Sequence, residues 1–198
     1  VSMRGTASYA GVTGLPPLVS AAVALAEELE FGCSCRLEQG RLLTALAAGA
    51  TTAIGETGTG CGVGLAWLVA GRRPGVRVVS VERDAERAER VAGLFADVPG
   101  VEVVSGDWTR IEGYGPFDLL VLDGGGNGKQ GAAADPERLL RPAGSVVVDD
   151  FTPLTGWPPM LGPAPDAARL GWLDHPALLA TEVRLAPDLS TVIGTRRP

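Results

Sequence analysis

From Thr52 to Gly64 the chain reads Thr-Ala-Ile-Gly-Glu-Thr-Gly-Thr-Gly-Cys-Gly-Val-Gly, and no other stretch restricts its fold so sharply. A short apolar strand ends at Glu56. Glycines then stand at 58, 60, 62 and 64, and Leu65–Val69 continues apolar, as a helix would. Glycine admits positive φ and removes the Cβ that would keep a ligand at a distance. The N–H groups opening the next helix lack intrahelical acceptors and can donate to that ligand. The combination predicts a nucleotide-type cofactor site on an α/β sheet, with a ligand-free glycine turn as the plainer reading.

A dinucleotide fingerprint requires G-x-G-x-x-G. Counting from Gly58 the sixth residue is Val63, and from Gly60 it is Leu65, so the pattern fails in both frames. Glu56 instead stands two residues before Gly58-Thr59-Gly60-Cys61-Gly62. A carboxylate there repels a pyrophosphate and suits an amino group or a sulfonium. The acid and its glycine run resemble motif I of the class I S-adenosylmethionine (SAM)-dependent methyltransferases. A nicotinamide or flavin site is the competing assignment.

Taken in order, residues 1–15 are rich in Gly, Ser and Thr and read as a mobile arm. Residues 16–49 carry two helices. Pro16-Pro17 opens the first, with Leu18, Ala21, Ala22, Leu25 and Leu29 at helical spacing; the second spans Leu37 to Ala48 and is weakened at Gly40. The core, residues 50–198, alternates strands and helices. Strands are expected at Thr51–Glu56, Val76–Glu82, Val101–Val104, Phe117–Asp123 and Ser145–Asp149. Apolar strands separated by helices imply a parallel sheet covered on both faces. Thr181–Leu185 and Thr191–Gly194 are joined too tightly for a crossover helix and must form an antiparallel hairpin. The expected fold is a single α/β domain: a Rossmann-like, doubly wound, seven-stranded, mostly parallel sheet ending in an antiparallel hairpin. In the methyltransferases that it resembles, the last strand inserts antiparallel between its neighbours.

Composition enters by exclusion. A net charge of −6 without a basic cluster argues against nucleic acid, and no apolar run reaches membrane-spanning length. Cys33, Cys35 and Cys61 are an odd number and form no disulfide framework, which fits a reducing cytoplasm. With His175 as the sole histidine, Cys33-Ser34-Cys35 is too sparse for zinc. Met3-Arg4 and the apolar Leu18–Ala26 faintly mimic a secretory signal, which Pro16-Pro17 and the weak basic region oppose.

Ligands of open α/β sheets bind at the carboxyl ends of the strands. Glu82 ends the second strand, where a carboxylate can accept both ribose hydroxyls; its plainer role is an ion pair with Arg83 or Arg87. Asp107 could accept from the adenine amino group while Trp108 packs on the ring; the pair equally reads as a turn Asp with a core Trp. With Glu56, Gly58, Gly60, Gly62 and Asp123 these complete the candidate cofactor set.

Asp123 ends the fourth strand and Asp149-Asp150 the fifth. If the strands are neighbours the carboxylates converge, and a hard divalent cation (Mg²⁺, Mn²⁺ or Ca²⁺) would relieve their repulsion. Here the resemblance narrows to the metal-dependent, catechol O-methyltransferase-like branch. Its pattern, an Asp closing strand four and Asp-Asn closing strand five, is met by Asp123 and Asp149-Asp150, and Leu37–Leu43 is also similar. It implies metal ligation by Asp123, Asp149 and Asp150. The chain departs from the branch in having Asp150 where Asn is usual, and in displacing the lysine of the following loop. Lys129 is the only lysine in the sequence. Unlike arginine it can lose its proton near a cation, which makes it, with Asp123, a candidate catalytic residue; the plainer reading is a solvated loop lysine. Phe151–Trp172, with Trp157, Pro158, Pro159 and Met160, would roof a substrate pocket or cover a homodimer contact. His175 is placed near a helix start. The resemblance implies O-methylation of a small hydroxylated molecule. A metal-independent methyltransferase, a non-catalytic SAM-binding protein and a nucleotide-dependent oxidoreductase remain as alternatives.

Overall fold

A computed structural model of the protein describes residues 4–198. The strands are β1 (Ala53–Thr57), β2 (Arg77–Glu82), β3 (Val101–Ser105), β4 (Phe117–Leu122), β5 (Leu140–Phe151), the short β6 (Met160–Leu161) and β7 (Ala164–Pro165), β8 (Leu178–Ala186) and β9 (Leu189–Arg196). The helices are α1 (Pro17–Glu28), α2 (Leu37–Ala47), α3 (Val63–Gly71), α4 (Ala85–Leu94), α5 (Pro136–Leu139) and α6 (Ala167–Leu173).

The seven-stranded sheet has the order β3-β2-β1-β4-β5-β9-β8. β1 to β5 pair in parallel, and β9 enters antiparallel between β5 and β8. This is the doubly wound sheet with a terminal hairpin that the strand-helix rhythm predicts. Every residue of β1 is buried, as expected of a strand covered on both faces.

One face carries α1 to α4 over Ile54, Val78, Leu119 and Val147. The other packs Ile111, Leu139 and Trp172 onto Val79, Leu120 and Val148. Its cover is thin, a six-residue 3-10 turn (Trp108–Gly113) with α5 and α6. α3 is apolar all round because it lies between the sheet and α1 and α2, with Leu65, Ala66 and Leu68 fully buried. Gly40 does not break α2. A Cβ there would lie 2.2 Å from Trp67 Nε1, so the glycine lets the two helices close on one another.

Within residues 1–15, read from composition as an arm, Thr6–Tyr9 packs against the domain. Thr6–Tyr9 forms a 3-10 turn with both end residues buried, and Tyr9 Oη donates to the Cys35 carbonyl (3.0 Å) and accepts from Trp67 Nε1 (2.9 Å). The apolar run of the faint signal is α1 itself, with Val19, Ala22, Val23, Leu25 and Ala26 in the core; Met3 lies outside the described residues. Among the described residues no helix is long and apolar enough to cross a membrane. His175 follows the end of α6 at Asp174 rather than opening a helix.

Candidate active site

The parallel register aligns the strand ends. Glu56 lies opposite Ser80, Glu82 opposite Ser105, and Leu122 opposite Val148, so Asp123 and Asp149 leave their strands side by side. Sheet order alone therefore gathers Glu56, Glu82, Asp123, Asp149 and Asp150 along one edge.

Glu56 is 2% exposed and accepts from Ser80 Oγ, which also bonds Thr59 Oγ1 at 2.6 Å. Burial pushes its pKa up to about 8, opposed by the Ser80 hydrogen bond and reinforced by Glu82 and Asp149. Its Oε1 faces the opening of α3, where a Cβ on Gly64 would come within 2.5 Å. Gly58, Gly60 and Gly62 all take positive φ. The close approaches they permit in this structure are to the protein. A Cβ on Gly58 would meet Gly124 N at 2.3 Å, one on Gly60 the Phe31 ring at 2.9 Å, and one on Gly62 Val91 at 2.9 Å.

Glu82 braces the turn. One carboxylate oxygen accepts from Gly60 N (2.8 Å), the other from Asp84 N (2.9 Å) and Arg87 Nη2 (3.1 Å). The ion pair that competes with ribose binding is thus present. Asp107 is exposed and caps the 3-10 turn by accepting from Thr109 N and Oγ1, which holds its pKa down. Trp108 packs beneath the following loop, where Cβ atoms on Gly125 and Gly126 would strike it at 2.7 and 2.9 Å. For this pair the geometry is that of a capping Asp and a packing Trp.

The expected metal triad does not form. Asp149 Oδ1 accepts from Asp150 N at 2.7 Å, and Asp150 takes φ +67°, at an irregularity in β5 where its pairing with β9 shifts register between Val148 and Phe151. Lys129 Nζ donates to the carbonyls of Asp149 and Asp150, both at 2.6 Å, and lies 3.9 Å from the Phe151 ring centroid. A side-chain cation therefore already holds this strand end. Among the described residues no group of three His, Cys, Asp or Glu side chains is disposed to hold an ion. As arranged, Asp123, Asp149 and Asp150 do not fit a divalent cation. Lys129 is no solvated loop residue: it clamps backbone, and burial lowers its pKa against the opposing pull of Asp150, Asp149 and Asp123. Burial, then the neighbouring Asp149, raises the Asp123 carboxyl well above its ordinary range, and burial, opposed by the Asp150 N–H bond, raises Asp149 to about 7.

A cleft opens between the Cys33–Cys35 segment, Arg36 and Gln39 on one side and Asp123, Asp149, Asp150 and Leu189 on the other. Trp157 does not line it. That residue is 67% exposed, outside the β6-β7 turn, so the expected aromatic roof is absent from this cleft. Nothing in the sequence marks Gln39, which is 1% exposed with neither amide atom hydrogen-bonded.

No protein-family model matches the sequence, and no curated protein matches it. Solved structures do. Cofactor-bound Rv0187 from MTB is 24% identical, with 96% of this chain and 94% of that chain aligned at a TM-score of 0.73. The O-methyltransferase TomG from Streptomyces achromogenes, involved in tomaymycin synthesis and solved with SAM, is 21% identical over 98% of this chain and 96% of that chain, at 0.72. An O-methyltransferase from Bacillus cereus in complex with SAH is 18% identical over 98% and 96%, at 0.70. At these identities the likeness is one of fold: a doubly wound, mostly parallel seven-stranded sheet with an antiparallel strand in the penultimate position.

Proposed function

We propose that this protein is a SAM-dependent methyltransferase acting on a hydroxyl of a small molecule. The observation that carries the reading is Glu56, a carboxylate buried beside the glycine turn where a dinucleotide enzyme would need room for phosphate. With Glu82 on the adjacent strand it makes the turn acidic. Such a site disfavours pyrophosphate and favours a ligand with a cationic end and vicinal hydroxyls. The SAM- and SAH-bound proteins of the same fold support the choice.

SAM supplies a methyl group activated by its sulfonium. Glu56, once ionised, would pair with the cationic part of the ligand. Glu82 would exchange its Arg87 pairing for ribose hydroxyls. Asp123, which follows the central β4, lines the cleft beside this half of the site, and in its ionised form would accept the proton of the acceptor hydroxyl. Lys129, donating to two carbonyls, would position the Asp149–Asp150 strand end. No step is assigned to a metal ion.

Calorimetry with S-adenosylhomocysteine and with NAD⁺ and NADP⁺ tests the reading. Heat with the first and none with the others is expected. A preference for a dinucleotide would replace it with the oxidoreductase alternative.

A further inference from the structure

Glu82 is nearly saturated before any ligand arrives. An ionised carboxylate offers about four lone-pair sites. Gly60 N takes one on Oε2, and Asp84 N and Arg87 Nη2 take two on Oε1. One site is left, whereas a vicinal diol that donates from both hydroxyls needs two. Two of these three donors are backbone groups, fixed by the glycine turn and by the entry to α4. Arg87 alone can withdraw without unfolding either.

The surroundings of Arg87 allow that withdrawal. Its guanidinium carbon lies 5.1 Å from the centroid of the Phe31 ring, and that ring packs on Gly60, where a Cβ would come within 2.9 Å. Glu82, Arg87, Phe31 and Gly60 thus close a circuit around the turn. A second acceptor is at hand. Nη1 lies 3.4 Å from Asp84 Oδ2, on a side chain that is 43% exposed against 6% for Glu82. Among the described residues Nε has no acceptor although it is shielded from water, which makes the closed arrangement a shallow one. The backbone N–H of Arg87 is held separately by Asp84 Oδ1 (3.0 Å) as part of the helix cap, so the side chain can move while α4 stays.

We propose that Arg87 is a built-in competitor of the cofactor: its guanidinium occupies the ribose subsite at Glu82 and must swing to Asp84 before a vicinal diol is bound. The proposal rests on the methyltransferase reading above and adds how access to that site is controlled. A ligand that binds only the open form has its affinity scaled down by the fraction of molecules that are open. The contact is one charge-assisted hydrogen bond at a partly shielded position, so the expected penalty is about threefold to tenfold.

Calorimetry with S-adenosylhomocysteine at about pH 8, well above the ordinary carboxyl range, compares the parent with Arg87→Met. The variant keeps the backbone cap and loses the charge. It should bind S-adenosylhomocysteine about threefold to tenfold more tightly than the parent. The gain should be absent for the 2′,3′-dideoxy analogue, which makes no claim on Glu82. Raising the salt from about 0.05 M to about 0.5 M should narrow the gap between the two proteins, because screening weakens the pair. Arg87→Leu serves if Arg87→Met does not fold. Equal or weaker binding of S-adenosylhomocysteine by the variant, or the same gain with the dideoxy analogue, overturns the proposal and leaves the methyltransferase reading standing. If neither the parent nor the variant binds S-adenosylhomocysteine, the methyltransferase reading falls, and this inference with it.

Discussion

Replacing Glu56 with glutamine isolates the group on which cofactor recognition turns. In the ligand-free protein its pKa stands at about 8, so at pH 7 roughly nine molecules in ten hold it protonated. Pairing with a cationic ligand requires the ionised form. The cost of ionising it at pH 7 is between about 1 and 2 kcal/mol, or about tenfold in affinity. At pH 6 the penalty grows to about a hundredfold, and at pH 8 it falls to about twofold. S-adenosylhomocysteine should therefore bind about fifty times more tightly at pH 8 than at pH 6, with release of nearly one proton at pH 7. Calorimetry in two buffers of different ionisation enthalpy measures that proton directly. In Glu56→Gln the release should vanish and the pH slope flatten. An unaltered slope in the variant, or no proton released by the parent, would refute the assignment of Glu56 as the charged partner. The stability of the free protein gives an independent reading of opposite sense. The folded pKa lies above the ordinary value of 4.5, so the folded state holds the proton more tightly than the unfolded one. The folded state is therefore progressively disfavoured as pH rises from about 4.5 to about 8, and Glu56→Gln should gain on the parent by up to a few kcal/mol across that window.

Gly58→Ala combines a left-handed backbone with a clash on Gly124, and should destabilise the fold by more than about 2 kcal/mol in urea titration. Tyr9→Phe orphans Trp67 Nε1 and the Cys35 carbonyl, at a cost of about 1–3 kcal/mol; no loss in a thermal melt would mean that the N-terminal segment is not held as described. Asp118 accepts from the N–H groups of Thr51, Thr52 and Ala53, and these bonds outweigh burial to hold its pKa down. Its contribution is present above the ordinary Asp range and lost as pH falls through the lowered folded value. The stability gap between the parent and Asp118→Asn should accordingly shrink on acidification. Lys129→Met removes the clamp on the Asp149 and Asp150 carbonyls. It should lower the melting temperature and speed amide exchange at the end of β5, whereas a purely solvated lysine would change neither.

Much of this architecture follows from local pattern. The strand-helix alternation and the short connection before Leu189 were enough to imply a doubly wound sheet with an antiparallel end, because apolar periodicity and loop length are local quantities. That Glu56 and a glycine turn end β1 was legible for the same reason: strand, acid and glycines are contiguous in the sequence. What residue types alone could not decide was who meets whom. Three aspartates at strand ends read as metal ligands until Lys129 is seen to hold the Asp149 and Asp150 carbonyls and β5 to be irregular at Asp150. The N-terminal segment read as an arm because Tyr9 finds its partners, Cys35 and Trp67, far along the chain. Gln39 looked like any helical glutamine. What sets it apart is being buried with nothing bound to it, a property of the packed molecule and of no stretch of sequence.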